Sequence, residues 1–402
     1  LILFAAAETA VLGAFMAQDL LLFIAFFDLM LIPFLFLTYS WGEGPNRAAA
    51  ITKLFIYTLV GSLLMLAAAA ATAVLASNAT GGDLTFVLSE LEKAGVPAGS
   101  QNWIFLCFAA AFLIKMPGFP FHGWMPDGYR AMPLPVLAVF SAVLSKVAAY
   151  AFLRIVLPIY PEASDNLQQL MLGLAVASIL YGSVMAFSVT NTRLILGYSS
   201  VAQLGFITLG VFALNDDGAQ GALLQSVNHG LVVAPAFMLV AYVAQRAGGS
   251  EDIRDMGGIA FRAPVLAAMF LIVALATLAM PGSSNFIGEF LILLGAFQDN
   301  LVFALIAAVG VVLAAVYALR LFIGAMHNRV GTQVESRELG VSEAAPLVPV
   351  VLVILALALV PQFLLSRSEQ SAKRAVVAYD PAASASDASA SEPPAAEELP
   401  AP

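Results

Sequence analysis

The sequence predicts an all-α polytopic membrane protein of about eleven transmembrane helices, and three observations carry that reading. The 402 residues are 61% hydrophobic and 11% charged, a balance that no water-soluble domain carries without exposing large apolar patches. The mean hydropathy is +0.92. Apolar runs long enough for a helix to span a hydrocarbon core of about 30 Å recur along most of the chain. They fall at 1–17, 20–41, 51–76, 103–117, 133–157, 165–189, 192–212, 219–246, 264–297, 299–326 and 345–366.

The first run already contains Leu1, so the chain opens inside an apolar segment without Met, and further helices are expected ahead of it. The second holds FIAFFDLMLIPFLFL (23–37), in which Asp28 is the one charge. The fourth includes WIFLCFAAAF and the single cysteine, Cys107, which excludes a disulfide framework and any cysteine-based metal or iron–sulfur site. It ends in FLIKMPGFP, placing Lys115 at a helix end where it either snorkels or caps. The fifth, LAVFSAVLSKVAAYAFLR, keeps Lys146 far from any loop. The eighth contains SVNHGLVVAPAF with His229, a group able to donate and accept protons near neutral pH. The other two histidines, His122 and His327, fall in loops. The ninth run is longer than one span requires and carries MPGSSN at 280–285, so it reads as one discontinuous helix with Glu289 just beyond the break. Irregular backbone at that depth survives only when buried in protein or lining a wet cavity.

Short-loop basic residues set the orientation. Arg47, Lys53, Arg130, Arg193, Arg246, Arg254, Arg262, Arg329 and Arg337 share one side, which is therefore cytoplasmic, opposite the NDD at 215–217 and the Glu90–Glu92 region. The tail, 367–402, rich in Ala, Ser, Pro and acid, is expected to be disordered, and its acidic end from 380 on supplies −5 of the net charge of −9. Ionisable side chains at bilayer depth cost at least about 2.5–3.5 kcal/mol on insertion scales, so Asp28, Lys115, Lys146 and Glu289 are functional candidates. The bland alternative for Asp28 and Lys146 is a static ion pair that locks helices together. No haem-ligand pattern and no glycine-rich nucleotide loop is found, so no cofactor is expected in this chain and no redox chemistry of its own.

The stretches KMPGFPFHGWMPDGYRAMPLPVLAVFSAVLSKVAAYAFLR (115–154), TRLILGYSSVAQLG (192–205), NHGLVVAPAF (228–237) and LATLAMPGSSNFIGEFLILLGAF (275–297) resemble the antiporter-like, proton-pumping membrane subunits of respiratory complex I, NADH:quinone oxidoreductase. FFDLMLIPFLFL and MGGIAFRAP make the resemblance greatest to the subunit M, chain 4, type. It spans about residues 1–366. The resemblance implies inverted repeats with discontinuous helices. It also implies a bacterial inner-membrane location, neighbouring antiporter-like subunits and an indirect link to a redox arm, with the lipid bilayer as surroundings and no nucleic-acid partner. Carried onto this chain, it places the pairing carboxylate at Asp28, its lysine at Lys146, a central relay lysine at Arg193, a relay histidine at His229 and the exit acid at Glu289. Arg193 departs from the lysine, and a guanidinium does not give up its proton. It would organise water, or Tyr198 and Ser199 would share its role. Gln203 stands where a histidine is frequent. The implied function is proton translocation driven by electron transfer in partner subunits. Approach of Asp28 to Lys146 would favour the ammonium, and withdrawal the neutral amine. A subunit of a multi-chain sodium/proton antiporter and a structural membrane-arm subunit are the competing readings.

Overall fold

The computed structural model describes residues 1–44 and 46–379. Its helices, in chain order, are α1 (Ile2–Met16), α2 (Leu20–Leu29), α3 (Ile32–Trp41), α4 (Arg47–Thr80), α5 (Leu88–Ala94), α6 (Ala98–Lys115), α7 (Met125–Ala131), α8 (Leu134–Ala151), α9 (Leu157–Ile159), α10 (Pro161–Asn166), α11 (Gln168–Ser188), α12 (Thr192–Val211), α13 (Asp216–Arg246), α14 (Pro264–Thr277), α15 (Ser284–Asp299), α16 (Leu301–Met326), α17 (Val341–Leu359) and α18 (Gln362–Val376). Among the described residues no sheet forms, and the two extended contacts are isolated bridges, Asp19 with Val87 and Asn191 with Asp252.

Nine helical stretches are long and apolar enough to cross a membrane among the described residues. With α1 and the α14–α15 pair, the eleven crossings fall where the apolar runs lie. Successive crossings alternate direction, so the basic residues from Arg47 to Arg337 named above gather at helix ends on one face, called here the arginine-rich face.

Proline sets the irregularities. Pro33 has no amide for the Leu29 carbonyl, and the run 20–41 divides into α2 and α3 rather than forming one helix. Pro158 lies four residues beyond Arg154, and the chain between α8 and α9 widens into a π turn, Phe152–Val156. Pro117 and Pro120 end α6 at Lys115, and the crossing resumes through a 3₁₀ turn, Phe121–Trp124, into α7. Pro281 and Gly282, the latter at φ +91, separate α14 from α15. This last break was legible in MPGSSN.

All twenty residues of α12 are buried, making it the axis of the bundle, whereas α17 presents most of its apolar surface outward. The tail expectation is partly overturned. Residues 367–376 belong to α18, whose apolar side, including Ala372, Ala375 and Val376, is buried, and Gln220 of α13 donates to the Leu365 carbonyl at 3.0 Å. Amphipathic spacing gives this stretch something to bury, which its composition alone did not reveal. The remainder of that region, from 380 on, lies outside the described residues.

Candidate functional site

Asp28 projects from α2 toward α4 and α6. Ser62 of α4 donates a short hydrogen bond to its carboxylate, and the Lys115 ammonium lies 3.8 Å away. The lysine side chain is 3% exposed and the aspartate 41%, so the cation is enclosed while the anion reaches the outer surface of the bundle. Lys115 Nζ sits 4.2 Å over the Phe27 ring and has no hydrogen-bond partner of its own. Snorkelling is thereby excluded. The broken helix holds Lys115 inside, against the aromatic packing of Phe23, Phe27, Phe112 and Phe152.

The expected partnership of Asp28 with Lys146 does not form. Lys146, also buried, donates to the Ser141 carbonyl at 2.7 Å and to Ser145 Oγ at 3.1 Å, both on its own helix. It faces α13, where Gly230 makes the approach possible: a β-carbon there would lie 2.8 Å from the Ala142 carbonyl oxygen and 3.6 Å from Lys146 Cε. His229, the next residue, is buried and within electrostatic range of Lys146. Both lie near the middle of their helices.

Beyond His229 the same face of α13 presents Asn228 and Gln225, at the three- and four-residue spacing that aligns side chains on a helix. Gln225 donates to Gln203 of α12 at 2.7 Å, and Asn228 donates to the Ser284 carbonyl at the start of α15 at 2.7 Å. Glu289, one and a half turns into α15, is buried beside Gln203 and Tyr317. Ser199 donates to the Tyr317 hydroxyl at 3.2 Å. Tyr198 points elsewhere, toward Tyr181, with ring centroids 6.2 Å apart.

Most of these polar groups are incompletely satisfied by the protein. Lys115 Nζ, Gln203 Nε2, Gln225 Oε1, Asn228 Oδ1, His229 Nδ1, both amide atoms of Asn285, and Glu289 Oε1 are buried without a hydrogen-bond partner. Such groups are costly unless water completes their bonding. A series of them along packed helices is therefore chemically a wettable path lined by proton donors and acceptors.

Arg193 is not in that series. It lies at the arginine-rich end of α12, with its side chain 1% exposed and bonded to Glu251, Glu43 and backbone carbonyls. The structure thus places Arg193, expected as the central relay, at the end of α12 and outside that series; the buried lysine of α8 is Lys146, and the lysine beside Asp28 is Lys115. Sequence reasoning missed Ser62, Gln225, Asn228, Asn285 and Tyr317. Asn285 could have been found, since it follows the helix break directly. His122, expected in a loop, is buried in the 3₁₀ turn with its ring centroid 4.7 Å from that of Tyr181.

Fold and site together define an antiporter-like membrane subunit with three discontinuous crossings among the described residues. The chain belongs to the NADH:quinone oxidoreductase/Mrp antiporter transmembrane family, whose model matches residues 17–316. It is 34% identical to NADH-quinone oxidoreductase subunit M of Rickettsia typhi, over 94% of this chain and 76% of that one. It is 37% identical to subunit M of Escherichia coli (strain K12), over 90% and 72%. Among solved structures, a chain of respiratory complex I from Thermus thermophilus superposes with a TM-score of 0.87 at 34% identity, covering 93% of this chain and 78% of that one. A chain of the Mrp complex from Dietzia shares the fold, with a TM-score of 0.81 at 24% identity, covering 95% of this chain and 78% of that one.

Proposed function

We propose that this chain is a proton-translocating membrane-arm subunit of an NADH:quinone oxidoreductase, carrying no redox centre and driven by electron transfer in partner subunits. The observation that supports it is the row of buried ionisable and unpartnered polar groups running through α2, α6, α8, α13 and α15. Asp28, held by Ser62, governs the charge on Lys115. Lys146 is the central carrier, His229 and the Gln225–Gln203 pair order the water between, and Glu289 is the exit acid. Arg193, Tyr198 and Ser199 carry no proton in this scheme. The family resemblance to subunit M at 34–37% identity favours this reading over a sodium/proton antiporter subunit.

The test is redox-driven acidification in membrane vesicles, normalised to assembled complex on native gels. Lys146→Met removes the central carrier without leaving a buried charge unpaired, so the complex should assemble and translocate few protons per electron. Normal translocation by assembled Lys146→Met would overturn the relay.

A further inference from the structure

A short helix leaves a question that the relay, on which this inference rests, does not answer. Lys115 ends α6, and the crossing continues through α7, which has only seven residues. The Met132 amide satisfies the Gly128 carbonyl at 3.0 Å, which leaves the carbonyls of Tyr129, Arg130 and Ala131 at the end of α7 without a donor from the helix. Arg193 supplies it. Its Nη1 donates to the carbonyls of Tyr129 at 3.0 Å and Arg130 at 3.2 Å, and to that of Met132. The Ala131 carbonyl takes the Glu43 amide at 2.9 Å. The guanidinium sits at the negative end of the α7 dipole, where a cation is favoured.

Arg193 is in turn held on its other edges. Glu251 accepts from Nε at 3.1 Å and from Nη2, and Glu43 accepts from Nη2 at 3.1 Å. The segment bearing Glu251 is sewn to the start of α12: Thr192 donates its amide to the Glu251 carbonyl at 2.8 Å, and Ile253 donates to Thr190 at 3.0 Å. At the far end of α7, Trp124 Nε1 donates to the Ile114 carbonyl at 2.8 Å, one residue before Lys115. A chain of contacts therefore runs Arg193, α7, Trp124, Ile114, Lys115, in which Arg193, Tyr129, Trp124, Ile114 and Lys115 are buried.

We propose that Arg193 is a positioning residue for proton transfer: by fixing the end of α7 it sets, through Trp124, where Lys115 stands relative to Asp28. Arginine is required because a planar fork of five donors meets two carboxylates and three carbonyls at once, whereas lysine offers three donors from one point. This differs from a relay role, since Arg193 touches no proton on the path.

The experiment uses the complete complex in native membranes and compares Arg193→Lys, Trp124→Phe and Lys115→Met. Proton translocation per electron is measured on assembled complex, together with hydrogen exchange over residues 116–131. Arg193→Lys and Trp124→Phe should both assemble, translocate fewer protons by a factor on the order of two or more, and show faster exchange confined to that segment. Unchanged translocation in both would reduce Arg193 to a structural clamp and overturn the proposal. Should Arg193→Lys fail to assemble, Glu251→Gln, which leaves the carbonyl bonds in place, takes its part beside Trp124→Phe with the same two outcomes. Lys115→Met separates the layers. If it translocates normally the relay itself falls, whereas loss there with normal Arg193→Lys and Trp124→Phe defeats only the positioning role.

Discussion

Asp28 and Lys115 illustrate how one carboxylate at membrane depth is tolerated. The ammonium is enclosed by aromatic rings, and the acid gives it a counter-charge while accepting from Ser62. Removing the charge of Asp28 leaves the enclosed Lys115 without its counter-charge. Asp28→Asn should therefore assemble yet translocate far fewer protons per electron, whereas Asp28→Glu should be close to silent. Acidification assays on gel-quantified complex check both, and reduced assembly with normal translocation in the survivors would mark a mere ion-pair lock. At this scale the sequence singled out Asp28, Lys115, Lys146, His229 and Glu289, missed Tyr317, and paired Asp28 with Lys146 where the structure sets it beside Lys115. Lone charges in apolar runs are conspicuous; which of two lysines meets Asp28 depends on where α6 breaks and which way α8 turns.

Helix ends at the arginine-rich face are organised by carboxylates as well as by Arg193. Glu338, in the connection before α17, accepts from the amides of Val265 at 2.8 Å and Leu266 at 2.9 Å, capping α14, and from Leu339 at 2.9 Å. Burial by itself would raise its carboxyl, but these three amides and nearby Arg246 outweigh it and hold the group below its ordinary 4.5. A carboxyl lowered on folding stabilises above its unfolded value and loses that contribution as pH falls through and below it. Opening at Val265 and Leu266 should thus become easier as pH falls below the ordinary 4.5, ahead of the rest of α14, and Glu338→Gln should abolish the pH step while costing about 1 kcal/mol of local stability. Asp252 is held low likewise, chiefly by hydrogen bonds from the exposed Arg254. Where elements meet, Gly288 is equally informative. A β-carbon there would lie 2.6 Å from Gln225 Oε1 and 3.0 Å from the Gln225 amide nitrogen. Gly288→Ala should lower the thermal midpoint by several degrees, for a loss of about 1–3 kcal/mol, and misalign Gln225 with Gln203.

For the molecule as a whole, hydropathy was enough to place eleven crossings, because bilayer thickness imposes one length on every span. It could not show the division of α2 from α3 or the π turn after α8, since proline's effect depends on which carbonyl it faces. Nor could composition find α18, whose buried side appears only when the 3.6-residue repeat is followed. A different consequence follows from the 41% exposure of Asp28 on the bundle's flank. With that flank covered by no neighbour, the described residues would offer lipid a carboxylate, and lipid answers a charge by thinning and by admitting water. A solitary copy is then a leak. Vesicles carrying this chain by itself should discharge an imposed pH gradient faster than empty vesicles, Asp28→Asn should slow that discharge, and incorporation into the full complex should seal it. Cells making this chain in excess over its neighbours would be bleeding the very gradient the assembly is built to charge.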